Sequence, residues 1–124
     1  ADALLPGEHD GEPARPWFRL AEADGVPAGF VMVALPSASK PDANLWRLLV
    51  DARHQGRGVG SRMLGLVARE MAAAGAVTMA TSWVEGRGGP EPFYRGLGFE
   101  PTGEMDGHEV VARVPIDVLI ARTA

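Results

Sequence analysis

The sequence predicts a mixed α/β fold, with a central mixed β-sheet flanked by helices, and three observations support this prediction. The chain has 124 residues, a length that suits one domain with one hydrophobic core. Apolar residues alternate with polar ones in several short runs, as in strands, but recur at helical spacing over residues 59–74. No internal repeat or linker divides the chain, so residues 1–124 are expected to form a single domain.

The first half of the chain is predicted to be a lead-in followed by three strands. Residues 1–16 contain prolines and glycines that interrupt any regular pattern, so they are expected to be poorly structured, with 1–5 resembling the last turn of a helix. The Asp24-Gly25 pair favours a hairpin turn between the first two strands. The third strand is apolar on both faces, which is typical of a central strand. The predicted strands span residues 17–23, 30–35 and 45–50.

The second half is predicted to alternate between helices and strands. The helical spacing that begins at Val59 ends at Gly75, a residue type that commonly terminates helices. Pro90 can start a short helix that carries Phe93 and Tyr94 and ends near Gly96 or Gly98. The remaining segments are predicted to be strands at residues 76–81, 99–104 and 109–116, with a glycine-rich loop at residues 83–89.

Composition excludes several classes of function. The formal net charge of −4 argues against nucleic acid as a partner, because binding to a phosphate backbone requires a basic patch. Without cysteine the chain has no disulfide, thiolate metal site or cysteine nucleophile, and its three histidines lack metal-ligand spacing, so no metal is expected. No apolar run reaches membrane-spanning length and no signal peptide is visible, so a cytoplasmic location without membrane contact is predicted.

The segment Gln55-Gly56-Arg57-Gly58-Val59-Gly60 is the first candidate site. It lies between an apolar strand and a helix, and its three glycines leave the backbone bare. Because the N–H groups at a helix start are unpaired and carry partial positive charge, such a loop suits a phosphate or pyrophosphate. The alternative is a tight strand-to-helix turn that binds no ligand.

Two motifs together resemble the GCN5-related N-acetyltransferase (GNAT) family. The loop fits the family signature Gln/Arg-x-x-Gly-x-Gly/Ala, and residues 93–99 (Phe-Tyr-Arg-Gly-Leu-Gly-Phe) fit a second landmark, a tyrosine followed shortly by Gly-Phe. One helix and one strand separate the motifs, as in the family, and the resemblance covers roughly residues 17–116. It implies an acyl-CoA N-acyltransferase fold in which the strands on either side of the main helix splay apart.

The resemblance also implies a cofactor, a reaction and the residues that serve them. Acetyl-CoA would lie in the gap between the splayed strands, and a primary amine would attack its thioester directly. A backbone N–H at about Leu49 or Val50 would stabilise the oxyanion, and Tyr94 would protonate the leaving thiolate as general acid. Tyr94 has a structural alternative, as an aromatic anchor of the short helix. The cofactor-binding residues carried over are Leu48, Leu49, Val50, Gln55, Gly56, Arg57, Gly58, Val59, Gly60, Ser61 and Tyr94.

The general base is less well specified by the sequence. Glu85 lies just beyond the second splayed strand and is a candidate base, with a solvated loop acid as its structural alternative. A water relay, or a residue of the N-terminal part that family members carry, is equally open as the base. Many family members carry an asparagine where this chain has Gly89. Only about sixteen residues precede the first hairpin, so the N-terminal strand and helix of the family are expected to be lacking.

The sequence therefore leaves two functions open. The first is an acetyl-CoA-dependent N-acetyltransferase that acts on a primary amine of a small molecule. The second is a non-catalytic acyl-CoA-binding or regulatory module that keeps the same fold. The closing strands at the C-terminus can pair between subunits, which allows a homodimer.

Overall fold

The computed structural model describes residues 8–9, 12–13, 15–39, 41–52, 55–56 and 58–124. These residues form eight strands and three helices. In chain order the elements are β1 (Glu8–His9), β2 (Glu12–Pro13), β3 (Pro16–Ala23), β4 (Val26–Ala34), β5 (Ala43–Val50), α1 (Val59–Ala73), β6 (Thr78–Val84), α2 (Glu91–Gly96), β7 (Glu100–Asp106), β8 (Glu109–Pro115) and α3 (Ile116–Arg122).

Six of these strands form one mixed sheet in the order β3-β4-β5-β6-β8-β7. All neighbouring pairs are antiparallel except β5 and β6, which run parallel because α1 connects them. Among the described residues, the two short strands β1 and β2 form a separate two-stranded sheet. The sequence therefore predicted the mixed sheet and its flanking helices correctly.

The hydrophobic core lies between the helices and one face of this sheet. The buried side of α1 repeats the predicted stripe, with Val59, Met63, Val67 and Met71 all buried. This stripe packs against buried residues of the central strands, and α3 packs beside α1. Gly75 follows the helix with a positive φ of 99°, which a glycine adopts without strain, so the predicted helix stop is confirmed.

Several predicted boundaries are wrong. Strand β4 begins at Val26 rather than at residue 30, because the Asp24-Gly25 turn is immediately followed by pairing with β3. Strand β6 covers Thr78–Val84 rather than 76–81, so Trp83 lies on a strand and not in a loop. Within the predicted lead-in, β1 and β2 form a short antiparallel pair, while the helical turn expected at 1–5 lies outside the described residues.

The C-terminal helix α3 was missed altogether, because the sequence suggested only a strand that ends at Ile116. Helix α3 begins directly after Pro115, which occupies the position before the first helical residue. Ile116 and Leu119 are buried, three residues apart on one side of this short helix. In the part of the chain that the structure describes, no helix is long and apolar enough to cross a membrane.

Candidate active site

The central parallel pair of strands is joined at one end only. Strands β5 and β6 pair at Ala43 with Met79 and at Asn44 with Ala80, and no further register pair follows. The opposite neighbour β4 stays paired with β5 as far as Val50. A gap therefore opens between β5 and β6 towards their carboxyl ends, as the family resemblance implied.

A β-bulge in β5 lies at the point where the gap begins. Met32 pairs with Arg47 and Val33 pairs with Leu45, so Trp46 has no partner on β4. A bulge adds one residue to a strand and bends it. We infer that this bend directs the end of β5 away from β6.

The gap exposes backbone polar groups of β5. The N–H of Asp51 donates to the carbonyl of Ala28 at 2.7 Å, so odd-numbered residues here direct their backbone groups towards β4. Because successive residues of a strand alternate in direction, Leu48 and Val50 direct theirs into the gap. Leu49 directs its backbone towards β4, and its side chain is 52% exposed.

The glycine loop follows β5 and is tied back to it. The side-chain amide of Gln55 donates to the carbonyl of Val50 at 3.0 Å. Gly56 and Gly58 have φ angles of 79° and 77°, which residues with a Cβ rarely adopt. The two glycines thus permit a turn that brings the start of α1 beside the gap, while Arg57 lies outside the described residues.

The first turn of α1 keeps its N–H groups available to a ligand. Gly58 is the N-cap residue, no side chain caps the helix, and the first turn contains no acidic residue. Uncapped N–H groups at a helix start attract anions through their partial positive charge. Such a helix start suits an anionic group, and phosphate binding by the loop stays a prediction.

Gly60 lies where the start of α1 approaches Phe93 on α2 and Val50 on β5. A Cβ at this position would lie 3.3 Å from the Phe93 ring and 3.6 Å from Cγ2 of Val50. Any side chain here would therefore occupy the space between α1 and α2. Glycine keeps that space open.

Tyr94 closes the inner end of the gap. Its side chain is only 9% exposed, and its hydroxyl is hydrogen-bonded to Thr81, whose own hydroxyl lies 3.5 Å from the carbonyl of Leu45. Burial raises the pKa of Tyr94 above its usual value, and the hydrogen bond with Thr81 offsets part of that rise. The phenol is therefore protonated at neutral pH and can donate a proton.

Aromatic packing holds the Tyr94 ring in place. Trp83 stacks on it in parallel with ring centroids 5.7 Å apart, and Phe99 meets it edge-on at 5.3 Å. The sequence assigned no role to Thr81, and it left open whether Trp83 lines the acceptor pocket or packs under the glycine-rich loop in which it was placed. The alternation of Met79, Thr81 and Trp83 was the signal that the strand continues.

Together these groups line a cleft of about 760 Å³. Among the described cofactor-binding residues that the family resemblance implied, Leu49 does not line it. The candidate base Glu85 does not line it either and is exposed. No three potential metal ligands gather anywhere in the described ranges. The lining residues are Leu48, Val50, Gln55, Gly56, Gly58, Val59, Gly60, Ser61, Gly88, Gly89, Pro90, Phe93 and Tyr94.

Comparison with known proteins agrees with this architecture. A family model described as "Acetyltransferase (GNAT) family" matches residues 2–99. No match was found among curated proteins. Among solved structures, a nourseothricin acetyltransferase has a TM-score of 0.71 at 25% sequence identity, with 82% of this chain and 65% of that chain covered.

Two further solved structures show the same fold. The PaiA N-acetyltransferase of Thermoplasma acidophilum, in complex with coenzyme A, has a TM-score of 0.70 at 22% identity, with 81% of this chain and 60% of that chain covered. The ribosomal-protein-S18-alanine N-acetyltransferase of Escherichia coli has a TM-score of 0.69 at 22% identity, with 82% of this chain and 70% of that chain covered. The present chain therefore spans about two thirds of the length of these proteins.

Proposed function

Because this chain belongs to the GNAT acetyltransferase family, we propose that it transfers an acetyl group from acetyl-CoA to a primary amine of a small molecule. The observation that carries the proposal is the cleft between β5 and β6. One end of it has the glycine loop and the uncapped start of α1, and the other end has the buried hydroxyl of Tyr94. The cleft thus combines an anion-binding end with a proton donor.

The loop end of the cleft suits the pyrophosphate of coenzyme A. The backbone N–H groups that follow Gly58 would donate to the phosphate oxygens, with the partial charge of the helix start adding to the attraction. Further along, the backbone groups of Leu48 and Val50 would pair with the amide groups of the pantetheine arm. Bound acetyl-CoA would supply the activated thioester.

At the inner end, the residues of the chain would assist acyl transfer without a covalent intermediate. The N–H of Val50 or Leu48 would stabilise the negative charge that develops on the carbonyl oxygen. Leu49 is not suited to this role, since its backbone groups are directed towards β4. Tyr94 would protonate the departing thiolate.

The structural neighbours support this proposal at the level of the fold and the cofactor. The PaiA enzyme was solved with coenzyme A bound, which supports an acyl-CoA ligand for the equivalent fold here. The nourseothricin acetyltransferase is named for a small molecule, whereas the Escherichia coli enzyme is named for a protein N-terminal residue. We favour a small-molecule amine because residues 81–103 resemble family members that acetylate small amines such as polyamines.

Calorimetric titration with acetyl-CoA tests the proposal directly, with AMP and NADH as control ligands. We expect selective binding with a dissociation constant on the order of micromolar, which corresponds to about −8 kcal/mol. Turnover would then be measured with a panel of primary amines that includes spermidine and kanamycin, through release of the free thiol. Equal binding of all three nucleotides, or none, would contradict an acyl-CoA site.

The non-catalytic alternative predicts the same binding result but no turnover. A module that only binds acyl-CoA would accept no amine as substrate, and replacement of Tyr94 by phenylalanine would change nothing measurable in it. The cytoplasmic location and the homodimer stay predictions; size-exclusion chromatography with light scattering would test the dimer.

A further inference from the structure

A hydroxyl–carboxylate pair lies on the face of the sheet opposite the helices, and the proposed function does not yet use it. The hydroxyl of Ser82 on β6 donates to Oε1 of Glu109 on β8 at 2.5 Å. Both residues are half-buried. The hydrogen bond and the partial burial restrict the position of the Glu109 carboxylate. A solvated acid on the surface has no such restriction.

The alternation of β6 places this pair beside the inner end of the cleft. Thr81 directs its side chain to the helix side, where its hydroxyl meets Tyr94 and approaches the carbonyl of Leu45. Ser82 is the next residue, so its side chain lies at the same level of the sheet but on the opposite face. That level is where β5 and β6 separate, directly after the Asn44–Ala80 pair.

In the part of the chain that the structure describes, buried aromatic side chains occupy the helix side of this point, which leaves the opposite face as the approach for an amine. On the helix side the inner end of the cleft is filled by Tyr94 and by Trp83, which is 3% exposed and stacks against it. The glycine loop and the start of α1 line the outer end of the cleft. An acceptor that attacks a carbonyl between the strands therefore approaches past Ser82 and Glu109.

We propose that Glu109 accepts the proton of the incoming ammonium group and that Ser82 is the residue that positions it. This inference rests on the proposed function, because it assigns the general base of the same acetyl transfer. It also implies that the acceptor is an amine that binds in its protonated form, since a neutral amine would need no base before it attacks the thioester.

The proton balance of the step is complete. The ammonium gives one proton to Glu109, and the nitrogen lone pair then forms the C–N bond with the carbonyl carbon. As the C–S bond breaks, Tyr94 protonates the thiolate, and the second proton on nitrogen returns to Tyr94 through solvent. Glu109 releases its proton to solvent, so the products are an amide, a free thiol and one proton.

The charged groups that lie around Glu109 among the described residues can be tested separately. In register, Glu109 faces Val84 on β6 and Asp106 on β7. On its own strand Arg113 is held by Asp42 at 3.0 Å and by Glu104 at 3.3 Å. In the described ranges, other titratable groups near it are His108, which precedes it, Glu85, which follows Val84, and Arg47, on the same face of β5 across the gap.

The experiment compares Glu109→Gln with the unaltered protein over a range of pH, with spermidine and kanamycin as acceptors. At about pH 7.5 we expect kcat/KM to fall about 100-fold, a typical loss for a general base. The loss should shrink as pH rises, because the amine then arrives already deprotonated. The dissociation constant for acetyl-CoA should stay within about twofold, since Glu109 does not line the cleft that would hold it.

Four further variants make the result specific. Ser82→Ala should lower kcat/KM by about tenfold with the same pH trend, and Ser82→Thr, which keeps a hydroxyl, should restore most of it. Asp106→Asn removes the facing carboxylate and should leave activity unchanged. Glu109→Asp keeps the carboxylate on a shorter side chain, so its kcat/KM should lie between that of Glu109→Gln and that of the unaltered protein.

Each contrary outcome has a distinct meaning. A Glu109→Gln loss that is constant across pH, or smaller than about threefold, would overturn the proposal and leave Glu109 a structural role. A pH-dependent loss in Glu85→Gln instead would assign the base to Glu85. Absence of turnover by the unaltered protein on every amine, with acetyl-CoA still bound, would refute the proposed function itself and this inference with it.

Discussion

The two halves of the β5–β6 pair differ in whether the two strands are hydrogen-bonded to each other. At the amino ends, backbone pairing at Ala43 and Asn44 is reinforced by Asp42, which accepts hydrogen bonds from Thr78 and from the Arg113 guanidinium. At the carboxyl ends there is no pairing, and the polar groups of the β5 backbone face a cleft. We call these the closed half and the open half.

The difference shows how a sheet can make a ligand site without a dedicated binding domain. A paired strand uses its N–H and C=O groups within the sheet, whereas an unpaired one offers them to a ligand that can act as the next strand. In the open half β5 carries the bulge at Trp46, and an aromatic cluster around Tyr94 packs on the helix side. The closed half fixes the hinge from which they diverge, so stability and function are expected to separate between the halves.

The largest effect is expected in the open half, from Tyr94→Phe. Loss of the phenolic proton donor should lower kcat by about 100- to 10,000-fold, while the ring packing against Trp83 is kept. Acetyl-CoA affinity, measured by calorimetry, should change less than about twofold, since only the proton donor is lost. A kcat within about threefold of the unaltered protein would exclude Tyr94 as the acid and favour its alternative as a helix anchor.

Gly60→Val should come next, because it narrows the open half without touching the closed one. Its side chain would fill the space next to Phe93 and Val50, so the dissociation constant for acetyl-CoA should rise about 10- to 100-fold, or about 1.4–2.8 kcal/mol. Gly96→Val is the matched control, since a Cβ there meets no atom within 4 Å. Equal losses in both variants would point to general destabilisation rather than a blocked cleft.

In the closed half, Asp42→Ala should act on stability alone. Removing the acceptor for Thr78 and Arg113 should lower the free energy of unfolding by about 1–2 kcal/mol, a modest value because Arg113 is partly exposed. Urea denaturation measures the loss, and Asp106→Ala, an exposed acid on β7, is the control. If instead acetyl-CoA binding weakens while stability is unchanged, the separation of the two halves is wrong.

The smallest effect is the alkaline titration of Tyr94. Burial raises its pKa above the usual 10.0, so its contribution to stability is fully present below about pH 10 and is lost as pH rises through the higher folded value. Tyr94 is the only tyrosine in the chain, so ultraviolet absorbance of the phenolate follows it alone. If the midpoint pH of this titration in the folded protein is at or below that of the chain unfolded in urea, the result would contradict the burial of the Tyr94 hydroxyl.

How far the sequence predicted the open half depends on which residue is considered. The glycine loop and Tyr94 were found because their motifs are local and keep fixed spacing. The role of Trp83 stayed open and Thr81 was assigned none, because both contribute through contacts with Tyr94 and Leu45, which are distant in sequence. The closed half was missed for the same reason: Asp42 and Arg113 are 71 positions apart, and no local pattern relates them.

The sequence by itself determined the mixed sheet, the long helix and the loop that precedes it, because periodicity and glycine placement act over a few residues. Tertiary structure alone decided where β5 and β6 part, which backbone groups of β5 face the cleft, and that Ser82 meets Glu109 across two strands. Those features depend on strand register and on a single bulged residue. A shift of one residue in the pairing register of a strand moves every side chain to the other face of the sheet, and composition and motif spacing do not predict the register.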